Sequence, residues 1–136
     1  MAFVTTLVGI GYIAAAAQDG AQPEDELRKI RTQKLQAAKN GLKNYEKLQA
    51  AGVAITDVFI SQKADWCRKV METELQLASS KRERIEAAEL YLKRISQLSD
   101  IIRRRRAFDQ SPTALAEVTY RLHEAEELVL LEKMTD

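Results

Sequence analysis

An all-α fold of antiparallel helical hairpins is what this sequence predicts, and three observations predict it. Ala, Leu, Glu, Gln, Lys and Arg, the residues that lose least on entering a helix, dominate a chain of 136 residues that holds only five Gly and two Pro. Apolar residues recur in steps of three and four along most of its length. Turn-forming residues bracket the longest of these periodic runs, Gly52 on one side and Ser111 with Pro112 on the other.

The elements follow in order. Residues 18–23 (QDGAQP) read as a short polar linker, and Pro23 followed by Glu24, Asp25 and Glu26 opens a helix. Proline suits the first turn, and the acids face the positive end of the helix dipole. The helix runs to about residue 50, with Leu27, Ile30, Leu35, Ala38, Leu42, Tyr45 and Leu48 on one stripe. Gly52 then stands where a helix C-cap wants positive φ, and Thr56 where a hydroxyl caps the next helix.

Steps of four and three from Ile60 reach Ala64, Cys67, Met71, Glu74, Ala78, Lys81, Ile85, Ala88, Leu92, Ile95, Ser99 and Ile102. Only Glu74, Lys81 and Ser99 interrupt this heptad, and it does not reset at Ser79 and Ser80. The spacing predicts one long central helix over 57–107, about 75 Å at about 1.5 Å per residue. A break near 79–80 would convert it into a four-helix arrangement. Residues 108–112 (FDQSP) end the run, and Ser111 as N-cap with Pro112 at the first helical position opens a last helix. That helix keeps a heptad through Leu115, Val118, Leu122, Ala125 and Val129. Short loops predict that the first helix lies along the first half of the central one and the last helix along its second half.

Residues 2–17 (AFVTTLVGIGYIAAAA) carry no charge, and all charged residues come after Gln18. An apolar core ending in small alanines has the form of a secretory signal peptide, and it is shorter than the roughly twenty apolar residues of a membrane span. The missing Lys or Arg ahead of it leaves an uncleaved N-terminal anchor open. The chain thus divides into residues 1–17 as signal peptide or anchor, 18–23 as linker and 24–136 as a helical coiled-coil domain. An exported, periplasmic or cell-envelope location follows, with membrane contact only through the N-terminal segment.

The net charge of +1 argues against a globally basic nucleic-acid binder. Residues 24–50 carry seven basic and four acidic side chains, and residues 107–136 carry two and seven, so oppositely charged surfaces exist within one chain. Cys67 is the only cysteine and can form no internal disulfide, which predicts a buried thiol. His123 is the only histidine, and the nearby Glu124, Glu126 and Glu127 read as a solvated face and not as metal ligands. No nucleophile, base and orienting group can be assembled, and no phosphate-binding Gly loop is present, so neither an enzyme nor a cofactor site is expected.

Two features are candidates for binding. Arg103, Arg104, Arg105 and Arg106 could contact an anionic surface, or complement the helix dipole and pair with Glu117 across the loop. Phe59, Trp66, Val70 and Leu77 form a second apolar stripe beside the heptad, either a wider core face under the first helix or an interface anchored by Trp66.

Residues 45–77, with Gly52, then Thr56, Asp57 and Val58, then ELQLA at 74–78, resemble the repeated helical hairpin of TolC-type outer-membrane efflux proteins. Residues 107–126 look like a diverged second copy. The nearer resemblance is to short, exported, TolC-like helical proteins of uncharacterised role, in which a pattern like ELQLASSKRERIEAAELYLKR at 74–94 precedes a second hairpin. The sequence lacks the alternating strands of a barrel, so the resemblance implies a helical hairpin and no channel. The expected function is that of a non-enzymatic cell-envelope structural or interaction protein that self-associates or binds another helical envelope protein. The alternatives are a binder of anionic surfaces or nucleic acid through Arg103 to Arg106, and a periplasmic helical-hairpin sensor or chaperone.

Overall fold

A computed structural model describes residues 22–105 and 111–136, which form four helices and, among the described residues, no strand. They are α1 (Gln22–Ala50), α2 (Asp57–Leu77), α3 (Lys81–Arg103) and α4 (Pro112–Met134). The expected segment 1–17 lies outside the described residues, as do Arg106 and most of the second loop. Helix α1 already includes Gln22 and Pro23, so the expected linker is shorter at its C-terminal end. The chain divides into two units, Met1–Gln33 and Lys34–Asp136. In the first, the described residues are helical, with Leu27 and Ile30 exposed and Thr32 Oγ1 donating to the Arg28 carbonyl.

The helix ends are set locally. Gly52 has φ of 83°, the Gly52 N–H donates to the Gln49 carbonyl, and the Val53 N–H reaches back to the Leu48 carbonyl. This pair of bonds closes the orphan carbonyls of α1, and the left-handed residue it needs is glycine. Thr56 Oγ1 accepts from the Phe59 N–H at 3.1 Å, and Ser111 Oγ accepts from the Ala114 N–H at 3.2 Å. Pro112 sits at the start of α4 as expected.

The preferred continuous central helix is corrected. Ala78 and Ser80 adopt extended ψ of 133° and 159°, and the chain turns back between α2 and α3. Ser80 Oγ accepts from the Glu83 N–H at 3.1 Å, while Glu83 Oε1 accepts from the N–H and hydroxyl of Ser79. This is an S-x-x-E arrangement like a capping box, with Glu83 reaching the N–H one residue ahead of the N-cap, and it satisfies donors that a continuous helix would have used internally. The four-helix arrangement is the one adopted.

Within Lys34–Asp136 the register is fixed by side-chain pairs. Lys34 donates to Gln76 and Lys63 to Gln49, so α1 and α2 are antiparallel. Arg105 at the end of α3 pairs with Asp57 at the start of α2 at 2.7 Å, and Arg84 of α3 with Glu132 of α4 at 3.0 Å; both helix pairs are therefore antiparallel. Ser61 with Glu117, Asp65 with Arg121 and Arg68 with Glu124 hold α2 and α4 parallel. The unit is an up-down-up-down bundle. Its core joins Ala38, Leu42, Ala64, Cys67, Val70, Met71, Tyr91, Ile95, Leu98 and Ala125, and a second cluster unites Ile60, Ile102, Ala114 and Val118.

Most of the heptad is buried, though not by one partner helix. Ile60 and Ile102, at opposite ends of the expected run, lie in the same cluster because α3 folds back on α2. Tyr91 and Leu98, off the expected seam, are fully buried, since α3 is packed by both α2 and α4 and needs a wider apolar face.

Candidate functional site

The second stripe is used inside the molecule. Phe59 and Val70 are buried, and the Phe59 ring meets Tyr45 of α1 edge to face with centroids 5.2 Å apart. Trp66 packs against Gly41 of α1, so close that a Cβ at Gly41 would stand 2.6 Å from the indole. Lys69 Nζ covers that ring at 4.3 Å from its centroid, a cation–π contact. Leu77 is half-buried beside Leu35 and Leu90 in a cleft. Of the two readings of the stripe Phe59, Trp66, Val70 and Leu77, these contacts accord with a core face under the first helix, since Tyr45, Gly41 and Leu35 of α1 lie against Phe59, Trp66 and Leu77. Glycine inside a helix costs about 1 kcal/mol relative to alanine, and Gly41 is there because only a side chain of no width lets the indole in. A Gly at the level of a lone Trp on the neighbouring helix was the signal that sequence reasoning missed.

The arginines divide. Arg103 and Arg104 are exposed, and Arg104 caps α3 with its backbone N–H on the Asp100 carbonyl. Arg105 is turned inward and donates to Asp57 Oδ1 and the Ile55 carbonyl. Its guanidinium, with a lesser contribution from Ser111, holds the Asp57 carboxyl below its usual range. Arg106 lies outside the described residues. Among the described residues Glu117 accepts from Ser61 and Arg121, and the Arg106 part of the expected pairing lies outside them. Arg121 is closer to Glu117 by helical spacing, and it also reaches Asp65.

Cys67 is buried as expected, and desolvation pushes its thiol up to about 11. Burial first, and then Glu124, raise the Tyr91 hydroxyl to about 12; that hydroxyl donates to Glu124 Oε1 at 3.1 Å. His123 Nδ1 lies 2.7 Å from Glu126 Oε1 on an exposed face. Among the described residues no group of three His, Cys, Asp or Glu side chains is arranged to hold a metal, and no helix is long and apolar enough to cross a membrane. The cleft that holds Glu74, Glu83 and Glu86 is lined in part by engaged acids, because Glu83 caps α3 and Glu86 pairs with Arg82.

Helix α4 has two apolar faces. Ala114, Val118, Ala125 and Val129 are buried. On the opposite face, Tyr120, Leu130, Leu131 and Met134 are 71%, 61%, 52% and 78% exposed. Tyr120, His123, Glu127, Leu130 and Met134 are themselves spaced by three and four, an outward seam. Beside it runs a cleft of about 240 Å³ between α2 and α4, with Met71, Leu75, Leu128 and Leu131 along it and Arg68, Glu72, Glu124 and Glu127 at its margins. Compared with family models, with curated proteins and with solved structures, the chain matches none.

Proposed function

We propose that this chain is a non-enzymatic structural or interaction protein of the cell envelope, whose helical bundle binds another helix. The observation that carries the reading is the outward face of α4, where Tyr120, Leu130, Leu131 and Met134 stay in water although the same helix already buries a full face. Scattered apolar residues on a surface are ordinary; a helical stripe of them beside an apolar cleft is the form of a helix-in-groove site. The uncharged segment 2–17 supports export or envelope anchoring. The hairpin resemblance to TolC-type proteins belongs to the same proposal, supported by the Gly52 turn and the Thr56 cap. Of the arginines offered for an anionic surface, Arg105 is already engaged with Asp57, which leaves that alternative narrower.

A photo-crosslinking residue placed at position 130 or 134 in living cells should give a protein adduct in the envelope fraction. The same probe at exposed Gln97 of α3 serves as control. No adduct at either α4 position, or recovery of the chain wholly outside the envelope, would count against the reading.

A further inference from the structure

We infer that the occupant of the α2/α4 groove is the beginning of α1 from a second copy of this chain. This rests on the interaction reading above and names its partner. The groove has an apolar floor of Met71, Leu75, Leu128 and Leu131, and three of its four charged margin residues, Glu72, Glu124 and Glu127, are acids. Arg68 is shared by Glu72 and Glu124, so the margin keeps a net negative charge, with Glu127 outside any ion pair among the described residues. Its occupant must be a helix that offers apolar side chains one turn apart, flanked by positive charge.

Residues 27–33 (LRKIRTQ) have that chemistry. Leu27 and Ile30 lie one turn apart and are 45% and 54% exposed, and Arg28, Lys29 and Arg31 accompany them with no acid in the segment. No other exposed stretch of the described helices combines an apolar i, i+3 pair with three basic residues and no acid; around Leu130, Leu131 and Met134 the nearest charges are Glu126, Glu127, Glu132 and Lys133. The two surfaces are thus complementary in both shape class and charge, while neither is complementary to itself. Such a contact is reciprocal in a two-fold dimer, where each copy gives one helix end and accepts one, so the short segment is used twice. Two insertions bring the buried surface nearer to the roughly 800 Å² per partner of a standard interface than one alone would.

The test uses the chain purified as cells produce it, followed by light scattering over a concentration series. The expected result is a dimer that dissociates when Leu27→Glu and Ile30→Glu are combined, with unchanged helical circular dichroism because both side chains are exposed. Leu131→Glu in the groove should dissociate it equally. Arg31→Glu and Glu127→Lys should each weaken the dimer several-fold, and together they should restore it. Dimerisation that survives the Leu27 and Ile30 changes but is lost with Leu131→Glu would overturn the inference and leave the α4 face as an interaction surface. A monomer at every concentration would also overturn it, and the crosslink at position 130 then judges the broader reading separately.

Discussion

Helices α1 and α4 flank the same α2/α3 hairpin, and they are held to it by different physics. Helix α1 is seated by shape: Trp66 lies on Gly41, Phe59 meets Tyr45, and the long-range polar contacts are neutral-acceptor bonds such as Lys63 to Gln49. Helix α4 is seated by a continuous buried seam and by charge, with Arg84 on Glu132, Arg121 on Asp65 and the buried Tyr91 hydroxyl on Glu124. A shape-seated helix is sensitive to a single methyl group, whereas a seam distributes its free energy over many positions. The difference also explains why α4 can keep a second apolar face outward, since its attachment does not depend on that face.

The largest expected effect breaks the α4 side. Tyr91→Ala empties a fully buried site at the junction of α3 and α4 and should cost about 3–5 kcal/mol, read as a lowered midpoint in urea unfolding. Gly41→Ala is the counterpart on the α1 side. Helix propensity favours alanine by about 1 kcal/mol, but the new Cβ meets the indole, so net destabilisation of about 1–3 kcal/mol is expected. Limited proteolysis should then cut α1 first, with α2 to α4 protected; uniform loss of protection would contradict the comparison.

A smaller effect is expected at the α2/α3 turn, where Ser80→Ala removes the cap on Glu83 N–H and should cost about 1 kcal/mol. The smallest is a pH effect. The Asp57 carboxyl is depressed in the fold, chiefly by Arg105, so its contribution is present above the unfolded carboxylate value near 3.9 and is lost as pH falls through the lower folded value. Arg105→Gln should flatten that acid limb of the stability curve without moving the neutral plateau's shape. An unchanged acid limb would show that Arg105 does not set the Asp57 carboxyl.

The caps at Gly52, Thr56, Ser111 and Pro112 were legible because each involves residues within five positions of one another. The S-x-x-E cap at Ser80 and Glu83 was equally local and was outweighed by the heptad that runs through it. That heptad was misleading for a physical reason. When a helix folds back on itself, the same seam faces inward on both arms, so Ile60 and Ile102 keep their phase whether the chain is straight or turned. The polar interruptions at Glu74 and Lys81 mark the closed end of the hairpin and not isolated exceptions in a long seam.

By itself, then, the sequence determined the all-helical class, the helix ends at Gly52, Thr56, Ser111 and Pro112, and most of the buried seam from Ile60 to Ile102, since propensity, caps and periodicity act over one or two turns. Only the tertiary structure decided that the central run is two helices, that α1 lies against Trp66, that Arg105 and not Arg103 or Arg104 turns inward, and that α4 leaves an apolar face outward. Each of those depends on which surfaces meet across the bundle, and a helical period records how many apolar faces exist without recording what covers them.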